Sequence, residues 1–343
     1  MSRRPTIADL ARTAGVSVAT VDRVLNQRHS VREETMRRVL QAAEAIGFHA
    51  TGLIRQRLAP DAPQRTFGFV LQKEAHYFYQ TLAAALRDAA HAAPGVRGQP
   101  LIVFAAELTP AAAAAKLSEI GERADALAIV TVDHPSISEV IERLKARGIP
   151  TFGLLTALTT PAWAGYVGID NRKAGRQAAW TIARTARKPG EVGILVGSHR
   201  YLGHEMREIG FRSYFREHAP SFRVLEAIVN LEEPRIAYEA TLDLLKKHPD
   251  LVGICVAGGG MEGVISALRD EGLAGSLSVV VNELTPDTRA ALTDDIVTLV
   301  IGTPIQPLAR RIIDAMLHAI EDGAVATPRQ ILLPFELYTS ENF

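Results

Sequence analysis

Thr6-Ile7-Ala8-Asp9-Leu10-Ala11-Arg12-Thr13-Ala14-Gly15-Val16-Ser17-Val18-Ala19-Thr20-Val21-Asp22-Arg23-Val24-Leu25-Asn26 is the stretch from which the organisation of the chain is read. Ile7, Leu10, Ala11 and Ala14 recur at helical spacing. Thr6 stands where an N-cap hydroxyl accepts from an orphan backbone N–H. Gly15 supplies a low-cost positive φ that ends the first helix. Ser17 caps a second helix, on which Val21, Val24 and Leu25 pack back against the first. Two short helices joined by a tight glycine turn make a helix-turn-helix, with the second helix shaped to enter a major groove. The competing reading of the bare spacing is an ordinary helical hairpin.

Working outward, Gln27 to Ser30 is a polar loop, and Val31 to Ile46 reads as a third helix with Val39, Ala42, Ala43 and Ile46 as its apolar stripe. Gly47 ends it. Leu53-Ile54-Arg55-Gln56-Arg57-Leu58 makes about one and a half turns, with Ile54 and Leu58 at i, i+4, and is too short to hold a helix without a partner. Ala59 to Pro63 reads as a linker. The formal charge of the chain is zero, yet residues 1–58 carry ten Arg and five acids. With 38 basic and 38 acidic residues overall, a head of +5 is joined to a body of −5. Basic charge gathered on one small module is the footprint of a nucleic-acid binder. Every basic group there is Arg, which suits bidentate phosphate and guanine contacts.

From Thr66 onward apolar strands alternate with amphipathic helices: strands at 67–71, 100–105, 126–132, 151–155 and 166–169, then 191–196, 224–229, 251–257 and 278–281. The helices between them read at 79–92, 111–123, 137–147, 173–186, 205–217, 235–247 and 261–270. This rhythm predicts two α/β subdomains with parallel sheets covered on both faces and a ligand cleft between them. At 343 residues the chain holds more than one domain. The reading is a headpiece at 1–50, a hinge and linker at 51–64, and a body at 65–343. Within the body, one subdomain is expected at about 65–163 and 303–324, the other at about 164–302 and 325–343. The single cysteine, Cys255, excludes an internal disulfide and a zinc site built on several thiolates. With no run of eighteen apolar residues and no apolar N-terminal leader, a soluble cytoplasmic protein without membrane contact is expected.

The order of these parts resembles the LacI/GalR transcriptional regulators. Residues 6–58 carry the pattern T-I-x-D-L-A-x-x-A-G-V-S-x-x-T-V-x-R-V-L-N, then V-x-x-E-T, then a short hinge ending in Leu. Residues 66–343 look like the body those regulators share with periplasmic sugar-binding proteins, chiefly through Val167-Gly168-Ile169-Asp170-Asn171 and Arg207-Glu208-Ile209-Gly210-Phe211. The resemblance implies a small all-α helix-turn-helix headpiece on an α/β core of two parallel-sheet subdomains. It implies that Ser17, Thr20, Asn26 and Thr35 hold phosphates, with Thr6 and Arg32 also facing DNA. Val18 and Ala19 then face base edges and Arg23 reaches a base. Asp22 departs from the family pattern: it accepts from a cytosine amino group, pairs with Arg23, or is simply solvated. In the hinge, Arg55 replaces a small residue and would enter a narrow minor groove or touch phosphate, with Leu58 as the wedge.

For the body, the resemblance puts ligand contacts at the carboxyl ends of strands. The candidates are Gln72 and the aromatic pair Phe78 and Tyr79, then Asp133 and His134, Asp170, His204 and Glu205, and finally Asn282 and Glu283. Phe78 and Tyr79 would face a sugar ring or pack in the core; Asp170 would bond a hydroxyl or cap the following helix. Glu205 stands where the ribose-type pattern has a clamping Arg, Arg207 matches a more structural Arg, and Gly258-Gly259-Gly260 leaves room. That altered polar code points to a polyol, or to a larger or substituted sugar. Neither a phosphate-binding glycine loop nor a G-x-S-x-G elbow is present, and His199, His204 and Glu205 make a weak metal set. No enzyme activity, cofactor or metal is expected. The expectation is a homodimeric DNA-binding regulator, most naturally a repressor, on a pseudopalindromic double-stranded operator, controlled by a sugar-like or polyol effector. The rival is a cytoplasmic sugar sensor that does not regulate DNA and whose basic head docks a partner.

Overall fold

Helix α1 (Ile7–Ala14) begins in a full capping box, in which the Thr6 hydroxyl accepts from the Asp9 N–H and the Asp9 carboxylate accepts from the Thr6 N–H. Gly15, at a φ of 63°, stops it. Helix α2 (Val18–Asn26) follows Ser17, whose hydroxyl accepts from the Thr20 N–H at 3.1 Å. Helix α3 (Glu33–Ile46) starts two residues later than its periodicity predicts and ends at Gly47. The structure is a computed structural model and describes residues 5–26, 31–52, 54, 62–105, 109–323 and 328–343.

Leu10, Ala11, Ala14, Val21, Val24, Val39, Ala42 and Ala43 form the headpiece core, with Leu25 and Ile46 at its margin. Arg38 reaches back from α3 and donates to the carbonyls of Ala14 and Gly15 at 2.9 and 3.2 Å, satisfying orphan acceptors at the end of α1. Phe48 and Ile54 complete the core. Ile54 was expected in a separate hinge with Leu58, yet it is fully buried among the headpiece side chains. So small a core has few apolar groups to bury, and closing over Ile54 removes one more from water. Arg55 and Leu58 lie outside the described residues.

The body builds one parallel sheet from β1 (Gln64–Gln72), β2 (Arg97–Ala105), β3 (Ala126–Ile129), β4 (Thr151–Leu154), β5 (Gly165–Ile169) and β12 (Arg329–Leu333), ordered β12-β5-β4-β3-β1-β2. The second sheet runs β13-β11-β10-β9-β6-β7, from β6 (Glu191–Val196), β7 (Arg223–Val224), β9 (Leu251–Val256), β10 (Ser278–Asn282), β11 (Leu299–Gly302) and β13 (Glu336–Tyr338). Its strands are parallel except β13, which is antiparallel to β11. A seventh strand, β8 (Ile228–Val229), also pairs with β6. The strand expected at 224–229 is therefore broken in two, where Arg212 takes the Leu225 carbonyl at 2.9 Å.

Both faces of each sheet are covered, as the continuous apolar strands predict. In β1, Phe67, Phe69 and Leu71 enter one core and Val70 the opposite one; in β10, Val279 and Val281 face one way and Val280 the other. Helices α4 (Tyr77–His91), α5 (Pro110–Gly121) and α6 (Pro135–Ala146) flank the first sheet. Helices α7 (Asn171–Thr185), α8 (Leu202–His218), α9 (Pro234–Lys247), α10 (Met261–Asp270) and α11 (Pro286–Thr293) belong with the second. Helix α12 (Ile305–Glu321) returns to the first and packs Leu308, Ile312 and Met316 into the core that holds Leu82 and Leu86.

The subdomain limits differ from those expected. Residues 165–169 and 329–333 were assigned to the second subdomain, but β5 pairs with β4 and β12 pairs with β5, so both belong to the first sheet. Close packing at the β5–β12 edge accounts for Gly165, where a Cβ would sit 2.1 Å from the Arg329 carbonyl oxygen. The chain thus crosses between subdomains after Ile169, after Gly302 and after Leu333. Ile54→Ala should destabilise the headpiece by about 2–5 kcal/mol. Hydrogen exchange on the full chain in the absence of DNA checks this: amides of 7–46 should exchange faster while those of the sheets do not change. Unaltered headpiece protection would return Ile54 to a hinge.

Candidate functional site

Two surfaces carry candidate chemistry: the exposed side of α2 and the cleft between the sheets. On the headpiece, Ser17, Ala19, Arg23 and Asn26 are exposed, Val18 is 52 % exposed, and Thr20 is half-buried. An exposed valine and alanine at the start of this helix are suited to contact with thymine methyl groups. The Ser17 and Thr20 hydroxyls bond each other at 2.8 Å. Thr6 is exposed and engaged in its capping box, Arg32 is exposed, and Thr35 is half-buried. Asp22 accepts from the Asn26 side-chain amide at 2.6 Å, one helical turn on, rather than pairing with Arg23.

The cleft gathers side chains from the carboxyl ends of strands in both sheets. His76, Phe78 and Tyr79 come from the start of α4, Tyr201, His204 and Arg207 from α8 and its approach, and Glu232 from the loop before α9. Gly258, Gly259, Met261 and Glu262 follow β9, and Asn282, Glu283 and Thr285 follow β10. Asn171, first residue of α7, lies at the crossover. Its amide donates to the Leu155 carbonyl at 3.2 Å and to the Tyr166 hydroxyl at 3.1 Å, while its oxygen accepts from Arg207 Nε at 2.8 Å. Arg207 Nη1 donates to the Ala257 carbonyl at 2.9 Å. The guanidinium predicted to be structural therefore both braces the cleft and lines it.

His204 and Glu232 pack together, with Nε2 and Oε1 3.5 Å apart. Burial, then the positive charge of Arg207, pull the imidazole down to about 3, so the contact is that of a neutral histidine beside a carboxylate. The glycines nearby fit these two side chains. A Cβ on Gly258 would lie 2.7 Å from His204 Cε1, and one on Gly197 would lie 2.5 Å from Glu232 Cγ. The space expected to be left for ligand at Gly258-Gly259-Gly260 is in large part taken by His204 and Glu232. Glu283 accepts from the Thr303 N–H at 2.9 Å and hydroxyl at 2.7 Å. Its carboxyl is nonetheless raised, because burial outweighs those two bonds. Glu262 is raised too, by burial first. At the cleft mouth, Lys73 reaches from the first subdomain to the carbonyls of Leu231 and Glu232, both at 3.0 Å, and to the Glu233 carboxylate at 2.6 Å.

Of the expected ligand residues, Phe78, Tyr79, His204, Asn282 and Glu283 line this cleft, and five do not. Gln72 is buried and donates to the Val130 carbonyl at 2.5 Å, stapling β1 to β3. Asp133 spends its oxygens on the Thr159 N–H and hydroxyl at 3.0 and 2.7 Å. His134 caps α6 through the Ser136 N–H at 3.2 Å. Asp170 caps α7 through the Lys173 N–H at 3.0 Å, which settles its competing reading. Glu205 fails for a helical reason. Because α8 begins at Leu202, Gly203, His204 and Arg207 share the cleft-facing side and Glu205 turns away. With the helix starting at Leu202 rather than at 205, His204 and Arg207, three residues apart, fall on one side.

With this geometry in view, two family models match the chain. Residues 67–324 match the periplasmic binding protein domain, and residues 6–50 match the bacterial regulatory proteins of the lacI family. The chain belongs to the LacI family of DNA-binding transcriptional regulators, with a body of the periplasmic-binding-protein type. It is similar to an uncharacterized HTH-type transcriptional regulator in the aml 5' region of Streptomyces limosus, 25% identical across 96% of this chain and 92% of that one. It is also similar to the HTH-type transcriptional regulator GalS of Salmonella typhimurium, 26% identical over 89% of this chain and 87% of the other. In structure, the body resembles an ABC transporter solute-binding protein of Burkholderia graminis in complex with D-arabinose. That match has a TM-score of 0.75 at 20% identity and covers 82% of this chain and 97% of that one. The likeness establishes the fold. Among the described residues, no helix is long and apolar enough to cross a membrane.

Asn171→Ala would leave the half-buried Arg207 Nε without its acceptor and cut the bond to Leu155. The loss should be about 1.5–3 kcal/mol of body stability, read as a lowered denaturant midpoint with unchanged slope. A midpoint equal to that of the parent would show that this amide braces nothing.

Proposed function

We propose that the chain is a homodimeric regulator, most naturally a repressor, of a promoter carrying a pseudopalindromic operator, and that a sugar-like or polyol ligand in the cleft sets its operator affinity. One observation carries the reading. An Arg-rich headpiece that exposes Ser17, Val18, Ala19 and Arg23 on one short helix is joined to a two-subdomain body whose cleft holds buried polar atoms without partners. A single headpiece offers too few base contacts for a specific site, so two are needed, and a two-fold pair reads a pseudopalindrome. Family membership favours this over the rival sensor. GalS, a relative along most of the chain, is a transcriptional regulator, and the structural neighbour from Burkholderia graminis holds D-arabinose.

Ser17, Thr20, Asn26, Thr35, Thr6 and Arg32 are assigned to phosphates, Val18, Ala19 and Arg23 to base edges, and Arg55 and Leu58 to the minor groove. In the cleft, Phe78 and Tyr79 offer ring faces to the C–H face of a sugar, and Asn282, whose amide nitrogen donates to the Val256 carbonyl, offers its oxygen to hydroxyls. Ligand contacts on both sheets favour the closed subdomain arrangement and so bias the two headpieces of a dimer relative to each other.

Arg23→Ala should weaken specific operator binding by roughly 1–3 kcal/mol while nonspecific binding falls only slightly. Gel shifts with the upstream DNA of the chain's own gene, with and without competitor DNA, check this; an unchanged specific affinity would remove Arg23 from the interface. A sugar or polyol at about one hundred times its dissociation constant should stabilise the body by roughly 2.7 kcal/mol. Thermal unfolding of the full chain across a panel of sugars and polyols reads this directly, and a panel without any stabilising member would contradict the ligand class.

A further inference from the structure

The charges lining the cleft narrow the ligand further, on the reading that the cleft takes a polyhydroxylated molecule. Among the described residues three carboxylates line it, Glu232, Glu262 and Glu283, against the one guanidinium of Arg207. That guanidinium already donates to Asn171 and Ala257. The two imidazoles that line it, His76 and His204, are both lowered by burial and add no cation at neutral pH, and Lys73 is held at the mouth by Leu231, Glu232 and Glu233. A phosphate or carboxylate ligand would therefore meet an excess of carboxylates among the described residues, with Arg207 already engaged through Nε and Nη1 and Lys73 held at the mouth.

The three acids are not equally satisfied. Glu283 accepts twice from Thr303, and Glu232 accepts from the Gly259 N–H at 3.2 Å. Glu262 Oε2 is buried with no partner. Two further polar atoms of the same cleft are in that state: the hydroxyl of Tyr201, a residue only 5% exposed, and His204 Nδ1. Buried polar groups are nearly always bonded, so an acceptor, a hydroxyl and a ring nitrogen left bare in one cavity mark where a ligand's own donors and acceptors belong. Among the described residues no three His, Cys, Asp or Glu groups converge as a metal ion would need. An organic cation answers the charge instead.

We propose that the cleft ligand is a sugar or polyol bearing a protonated amine, its ammonium donating to Glu262 and its hydroxyls bonding Tyr201 and His204. Burial raises the Glu262 carboxyl, and an ammonium beside it favours the ionised form.

Matched sugars test this on the full chain by calorimetric titration. Each set contains the neutral hexose, its 2-amino-2-deoxy counterpart and its 6-phosphate, in the gluco, galacto and manno series. In at least one series the amine should bind about tenfold or more tightly than its neutral parent, with no measurable heat from the phosphate. Glu262→Gln should bring the amine down to the affinity of the neutral sugar. A neutral sugar or phosphate that binds as tightly as its amine would overturn the proposal and leave the sugar-binding reading standing, as would an amine preference unaltered in Glu262→Gln. If no member of any series binds, the amine proposal and the sugar-binding reading fall together. The comparison within each series stands on the parent protein alone, so a Glu262→Gln chain that misfolds does not remove the test.

Discussion

The side-chain amide of Asn171 is the point through which the two halves of the body are tied. Its nitrogen bonds Leu155 and Tyr166 of the first subdomain, and its oxygen holds Arg207 of the second. The Tyr166 hydroxyl in turn donates to the Ile169 carbonyl at 2.8 Å, at the end of the strand from which the chain crosses. Arg207 passes the connection to Ala257 at the end of β9. A buried network of this kind is favourable only when all of its members are satisfied, which fixes the crossover in one geometry. The neighbouring cleft residues inherit their positions from it: His204 lies one turn before Arg207 on α8, and Gly258 follows Ala257.

From that fixed floor the cleft opens toward contacts that can be made or lost. Lys73 spans the mouth from one subdomain to carbonyls and a carboxylate of the other. The chain crosses between subdomains at three places, none of them a long linker, so motion of one half against the other is confined to a hinge. A ligand bonded to both halves changes the balance between open and closed forms by the difference in its affinity for them. Under the proposed function, a headpiece joined to such a body responds to a ligand that it never touches.

Much of this was legible in the sequence, for identifiable reasons. Thr6, Gly15, Ser17 and Gly47 act through local geometry, and each ends or starts its helix where its chemistry implies. Continuous apolar strands announced covered parallel sheets. What could not be read depends on partners distant in sequence. Residues 165–169 carry no mark that says which sheet they join, and Ile54 looks the same in a hinge as in a core. In the cleft, strand ends located the site and not its occupants. Asp133, His134 and Asp170 stand at strand ends, but nearby backbone N–H groups claim them. The lining role of Arg207, expected only as a brace, and that of Glu232 were hidden, because one needed the true start of α8 and the other sits in a loop with left-handed backbone, at a φ of 55°.

Coupling between cleft and headpiece is measured most directly by the affinity of the full chain for its operator with the cleft empty and with it saturated. Fluorescence anisotropy of a labelled fragment from upstream of the chain's own gene, titrated in the absence and presence of a sugar that stabilises the body, gives both values. A change of about tenfold or more, corresponding to a coupling of about 1.4 kcal/mol, is the expected result. The same affinity at a saturated cleft would mean that the body binds its ligand without governing DNA, and would contradict the allosteric reading.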